Sequence, residues 1–251
     1  MSTLVLMKAF ESVPGRYDLG MRLITFGQIG ELRRAILAAI PANAKVLDVG
    51  CGTGELLPLL ASRGARITAI DKSPEMVKTA RENAAAEGIL DSVSIKQNTA
   101  MEIDRLFADG EFDTIVLSLV MSELTKEERA WVLNQCARIL KPNGALIIAD
   151  EFQPESILKR IFFSLIRFPL HLTTYVYTQI KGLETTNIWW KIYYVAVELP
   201  LMLLSFFAGE PLTQPLRTGE LVVENRLRIV STSAFWGGAI RLLKIQKEDL
   251  V

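Results

Sequence analysis

Short, mostly apolar runs at residues 45–49, 66–70, 93–97, 114–118 and 145–149 punctuate this chain, each with the length and composition of a strand buried in a parallel sheet. Between them the apolar positions fall at three- and four-residue spacing, which is helical. Residues 2–40 read as helical with a break at Pro14-Gly15, and 32–40 have the pattern of a helix packed on a sheet. Ser73 before Pro74 and Glu75 is a helix start with a capping hydroxyl and a proline in the first turn, and Gly88 ends that helix. Thr125 and Glu128 form a capping box for a helix running to Leu140. Pro58 is tolerated because its missing N–H falls in a first turn. Two further runs, 227–233 and 239–245, separated by Trp236-Gly237-Gly238, read as an antiparallel pair closing the sheet. The alternation predicts an α/β fold: a doubly wound, mostly parallel, seven-stranded sheet.

Strand 45–49 runs straight into Gly50, Gly52 and Gly54 in the sequence KVLDVGCGTG. Backbone without side chains can come within contact distance of a ligand, so this loop is expected to cradle a small molecule. The strand at 66–70 ends in Asp71, about 20 residues past the loop, where a carboxylate can accept both hydroxyls of a ribose. A dinucleotide fingerprint or a phosphate loop would bring a Gly-x-Gly-x-x-Gly or Gly-Lys-Ser/Thr pattern, whereas the chain reads Gly50-Cys51-Gly52-Thr53-Gly54-Glu55. Glu55 would sit badly beside a phosphate. The ammonium of S-adenosylmethionine is a better match, since backbone carbonyls and carboxylates can hold it.

Lys plus Arg and Asp plus Glu each total 28, so no net basic field exists to grip a nucleic-acid backbone, and nucleic acid is not expected as a partner. At 251 residues, 50% of them hydrophobic, the chain can bury a full core as one decorated domain. The 2 cysteines are far apart and Cys51 lies in the ligand loop, so neither a disulfide framework nor a metal site is suggested. A cytoplasmic location is expected, because the first residues lack the basic-then-apolar pattern of a secretory signal.

One segment does not fit a simple crossover. Residues 156–208 are long, apolar and aromatic-rich. Arg160, Ser164, Arg167, His171 and Thr174 recur at spacings of four and three, a narrow basic-polar stripe on an otherwise apolar helix that Pro169 should kink. Residues 154–190 carry Lys159, Arg160, Arg167 and Lys181 against Glu155 and Glu184. Such a helix suits a lid over an apolar pocket or a membrane interface, possible peripheral contact being one of the two expectations. The run 192–208 follows Trp189-Trp190, but Glu198 near its middle and Pro200 count against a membrane span.

VLDVGCGTG, the AIDKSPEM run at 69–76, FDTIVLS at 112–118 and LKPNGALIIADEF at 140–152 resemble, in order, the motifs of class I S-adenosylmethionine-dependent methyltransferases. The flanks at 7–23 and 118–129, with the FPLHLTTYVYTQ and VELPLMLLSFF runs, are similar to the corrinoid protein-associated methyltransferases. The class I resemblance covers roughly Lys45 to Phe152 and implies a Rossmann-like cofactor-binding core at 45–152. With the patterns read above, the chain is expected to be a single methyltransferase domain with a helical lid at 1–40, an apolar helical insert at 153–215 between strands 5 and 6, and closing strands at 216–251. The resemblance implies S-adenosylmethionine as cofactor, a small apolar or corrinoid-linked acceptor, and a corrinoid protein as possible partner. A quinone or lipid acceptor and a non-catalytic binding module are the alternatives.

For the cofactor, the residues point to Gly50, Gly52 and Gly54, to Asp48 for the loop or the methionine ammonium, and to Asp71 for the ribose. Thr53 either touches the methionine carboxylate or caps the following helix. Ser118 faces the cofactor in the resemblance. Thr99-Ala100 stand where relatives place an acidic or amide residue and a small one against adenine, with a Thr99 hydroxyl substituting for the carboxylate. Met76 and Met101 are candidates to sandwich the ring. Methyl transfer requires alignment more than a metal or nucleophile. Candidates on the acceptor side are Tyr17 and Asp18, Glu123, Asp150 and Glu151, and His171, the only histidine.

Overall fold

The computed structural model describes residues 29–152, 216, 227–235, 238 and 240–247. The chain divides into two compact units, Met1–Ala9 with Gln153–Gln214 and Phe10–Phe152 with Pro215–Val251, and the described residues all belong to the second. The expected lid helices, Tyr17, Asp18, His171 and the 156–208 stripe lie outside the described residues.

Seven strands form one sheet in the order β3-β2-β1-β4-β5-β7-β6. The strands are β1 (Lys45–Val49), β2 (Arg66–Asp71), β3 (Val93–Gln97), β4 (Phe112–Ser118), β5 (Leu140–Glu151), β6 (Leu227–Phe235) and β7 (Ile240–Lys247). The first five are parallel, and β7 runs antiparallel to both β5 and β6. Among the described residues the α-helices are α1 (Ile29–Ala39), α2 (Leu57–Ala61), α3 (Pro74–Ala86), α4 (Ile103–Leu106) and α5 (Lys126–Ile139).

Local chemistry explains the boundaries. Ser73 Oγ accepts the Met76 N–H at 3.2 Å, Pro74 occupies the first turn of α3, and Gly88 takes φ +67° beyond its end. Thr125 and Glu128 close the capping box of α5. The central strands are buried along their length, and Leu47, Ile115, Leu117, Leu146 and Ile148 join Leu133, Ile139 and Leu243 in the main core. Burial of such side chains stabilises a fold by about 1.5–3 kcal/mol each.

Two expectations on the strands need correcting. β3 is an edge strand with Ser94, Lys96 and Gln97 exposed, so only Val93 and Ile95 are covered. β5 starts five residues before its apolar stretch because Leu140 already pairs with Phe112, ahead of an irregularity between Phe112 and Thr114.

The strand order reverses between β1 and β4. In doubly wound sheets the connections diverge at that point and leave a crevice at the carboxyl ends of the strands. The glycine loop after β1 and the turn after β4 meet there.

Candidate active site

Two cavities open at this crevice. The larger, about 340 Å³, is lined by Gly50, Gly52, Asp71, Lys72, Met76 and Asn98–Met101, and across from them by Leu119, Val120, Glu123, Leu124 and Glu128. The smaller, about 80 Å³, is lined by Asp48, Cys51, Thr53, Glu55, Ser118 and, from α1, Arg33. Gly50, Gly52 and Leu119 line both, so the loop and the β4 turn form the ridge between them.

The three glycines do different work. All have positive φ: Gly50 +72°, Gly52 +54°, Gly54 +81°. A β-carbon on Gly52 would meet nothing within 4 Å, whereas one on Gly50 would lie 2.4 Å from Val120 Cγ2, and one on Gly54 would press on Leu57 and Ala80 at 3.0 and 3.1 Å. Of the three, Gly52 leaves room for a ligand, while Gly50 and Gly54 admit close packing of the chain on itself. Gly50 lines both cavities as well, and Gly54 lines neither.

Asp71, 9% exposed, accepts the N–H of Gly52 at 2.8 Å and that of Ser73 at 2.9 Å through separate oxygens. It holds the loop and still lines the larger cavity with lone pairs to spare. Asp48 is 2% exposed at the smaller cavity. Burial, and secondarily the charge of Asp71, raises its pKa to about 7. Burial and the same two carboxylates push the Cys51 thiol well above its ordinary range, which favours the protonated thiol.

Thr53 is buried at the smaller cavity, and its carbonyl accepts from Asn83 of α3 at 2.9 Å. The N-cap position of α2 is Leu56, which makes no side-chain cap. Ser118 lines the smaller cavity and Met76, 3% exposed, the larger. Thr99 and Ala100 line the larger cavity with Met101 and Asn98. A carboxylate does reach this turn, from a position sequence reading missed: Glu102 accepts the Thr99 N–H at 2.8 Å and the Asn98 amide at 3.4 Å. Those hydrogen bonds hold its pKa below the usual value.

On the far wall, Glu123 pairs with Lys72 at 2.8 Å, an ion pair that joins the turns after β4 and β2. Glu151 lines neither cavity. Asp150 is not at the mouth as expected: it is fully buried and accepts the backbone N–H of Ser122 at 3.2 Å. Glu55 is paired with Arg33 at 2.8 Å. Arg33 also went unnoticed in the sequence, although a cation one position from the buried Leu32 on a helix preceding the loop is the available signal.

The cavity pair fits an adenosylated amino acid: the larger has Met76, Asn98, Ala100 and Met101 beside the charged Asp71, Lys72, Glu123 and Glu128, and the smaller has Asp48 and Arg33. The comparisons agree. A family profile described as a methyltransferase domain matches residues 46–144. A demethylmenaquinone methyltransferase from Thermus thermophilus is 32% identical over 163 residues, covering 61% of this chain and 71% of that protein. The chain belongs to the class I S-adenosylmethionine-dependent methyltransferases.

A phosphatidylethanolamine N-methyltransferase from Cereibacter sphaeroides is 37% identical over 130 residues, 51% of this chain and 62% of that relative, so the methyltransferase chain spans less than two thirds of its length. A solved S-adenosylmethionine-dependent methyltransferase from Aquifex aeolicus superposes with a TM-score of 0.54 at 20% identity, covering 94% of this chain and 98% of its own, which supports the fold. Among the described residues no group of acidic, cysteine or histidine side chains is placed to hold a metal, and no helix is long and apolar enough to cross a membrane.

Proposed function

We propose that this methyltransferase transfers a methyl group to a carbon or oxygen of an apolar, ring-bearing acceptor of the quinone kind. The observation that carries the reading is the likeness to the demethylmenaquinone methyltransferase along 163 residues, well beyond the glycine loop alone. The apolar sequence at 156–208 is consistent with it, since a lipid-soluble acceptor needs an apolar cover or a route from a membrane.

When bound, S-adenosylmethionine supplies an electrophilic methyl on a sulfonium that is already a good leaving group. The residues of this chain then bind and align. In this reading Asp71 accepts the ribose hydroxyls while keeping Gly52 in place, and Met76, Met101 and the Thr99-Ala100 backbone enclose the adenine. Asp48 and Arg33 take the ammonium and carboxylate ends of the amino acid. Leu119, on the ridge between the cavities, and Val120, beside it in the larger one, form the wall against which the reacting methyl is aimed. Holding the reacting atoms in line can lower the barrier by about 7–11 kcal/mol.

The assay is transfer of labelled methyl from S-adenosylmethionine to three acceptors: a short-chain demethylmenaquinone analogue, phosphatidylethanolamine vesicles and a corrinoid protein. Label in the quinone ring or its oxygen is expected. Label confined to the phospholipid headgroup would replace the acceptor by an amine. The corrinoid-linked acceptor suggested by the 7–23 and 118–129 segments would take its place if label reached only the corrinoid. Peripheral membrane contact through 156–208 belongs to the same proposal.

A further inference from the structure

The turn between β4 and α5 has a conformation its sequence does not favour. Leu119 sits at φ +58°, the left-handed region that a bulky side chain avoids. It does so on the ridge shared by both cavities. Glycine would take this backbone freely, and the chain uses glycine at other such positions, at Gly50, Gly52 and Gly54. Strain of this kind persists only when the surroundings over-determine it.

The surroundings can be named. The Leu119 N–H donates to the Ala149 carbonyl at 2.8 Å, which fixes the start of the turn on β5. One residue further along β5, the fully buried Asp150 accepts the Ser122 N–H at 3.2 Å with one oxygen and the Glu151 N–H at 2.7 Å with the other. From α5, the buried Arg129 Nε donates to the Met121 carbonyl at 2.7 Å, and Met121 itself is fully buried in the core. Asp150 lines neither cavity, so it acts on them only through the turn.

We propose that Asp150 is a positioning residue that holds the β4 turn in its left-handed form at Leu119 and so sets the wall of the cofactor cleft. Without that carboxylate the Leu119 backbone relaxes to negative φ, Val120 withdraws from Gly50, and Glu123 loses its register with Lys72. This rests on the cofactor cleft and not on the identity of the acceptor, so the test is made by binding and stands whatever the methyl acceptor is.

The experiment measures the dissociation constant of S-adenosylhomocysteine by calorimetry in Asp150→Asn, alone and combined with Leu119→Gly or Leu119→Ala. Asp150→Asn should weaken binding at least tenfold. Both second substitutions remove the leucine side chain, but only glycine accepts the left-handed backbone at no steric cost. Leu119→Gly should therefore return the Asp150→Asn protein to within about threefold of Leu119→Gly alone, and Leu119→Ala should not. Equal behaviour of the two combinations, or unchanged binding in Asp150→Asn, overturns the proposal. Should Asp150→Asn fail to fold, the single variants decide: Leu119→Gly must melt above Leu119→Ala by several degrees, and the reverse order would mean the turn stores no strain for Asp150 to hold.

Discussion

A β-carbon on Gly50 would lie 2.4 Å from Val120 Cγ2, so the glycine loop after β1 and the turn after β4 are in contact through the absence of one side chain. Gly50→Ala should destabilise the protein in two ways. The φ of +72° costs an L-residue about 1–2 kcal/mol, and displacement of Val120 adds to it. Gly52→Ala carries a similar backbone cost but meets nothing within 4 Å. Thermal unfolding should place Gly50→Ala well below Gly52→Ala. In cofactor binding, Gly52→Ala should lose affinity beyond what its melting temperature explains. If Gly50→Ala and Gly52→Ala melted alike, the Gly50–Val120 contact would carry no strain.

Asp71 is offered two duties, ribose acceptor and anchor of the loop through Gly52 and Ser73, and one experiment separates them. Asp71→Ala should weaken S-adenosylmethionine by about 1.5–3 kcal/mol, the range for hydrogen bonds to a charged group, or roughly tenfold to a hundredfold. Repeating the measurement with a cofactor analogue lacking the ribose hydroxyls isolates the direct contact. The penalty of the substitution should shrink with the analogue. A penalty of the same size for both ligands would leave Asp71 as loop anchor alone.

β1 and β2 were legible because each apolar run is bounded by a chemical stop: Gly50 after the first, Asp71 and the Ser73-Pro74 cap after the second. The glycine loop at the cavities was legible for the same reason. Less visible were features that depend on which strand lies beside which. Nothing in Val93–Gln97 says that it will be an edge, and its alternate polar residues make sense only once the order β3-β2-β1 is known. Glu102, Arg33 and Asp150 were missed or misplaced because their roles arise from contacts across the fold. Asp150 reads as a mouth residue from its place at a strand end, yet its side chain turns inward to Ser122.

Cofactor affinity is expected to depend on pH through Asp48. Its folded pKa of about 7 lies above the ordinary carboxylate value, so in the folded protein it holds a proton through much of the range in which the unfolded chain has lost it. The sign for stability follows: between about pH 4 and 7 the native state binds more protons, and stability contributed by this group falls as pH rises. Binding goes the other way, since a cationic ammonium favours the carboxylate. The dissociation constant for S-adenosylmethionine should fall as pH rises toward about 7 and level off above it. Calorimetry in two buffers of different ionisation enthalpy should detect proton release near pH 6, and Asp48→Asn should abolish both the release and the slope. Binding of equal strength from pH 5.5 to 8, with no proton exchanged, would remove Asp48 from the ammonium site.

The membrane part of the proposal rests on sequence and is tested apart from the core. Arg160 and Arg167 lie on the basic-polar stripe of the 156–208 segment, which has an excess of positive charge in a chain of zero net charge. Near an anionic bilayer each basic residue is worth about 1 kcal/mol, so Arg160→Glu with Arg167→Glu, which reverses both charges, should lower vesicle binding at least tenfold. The loss should be steepest at low salt, because such attraction is screened within about 10 Å at 0.1 M ionic strength. Affinity for S-adenosylmethionine should not change, since the cavities that carry it are built from residues 29–128. Cosedimentation with anionic and neutral vesicles at two salt concentrations is the measurement. Equal, negligible binding of the wild type and the double variant to both would end the membrane reading and leave the stripe as cover for an apolar acceptor, in which case the double variant should raise KM for a quinone analogue instead.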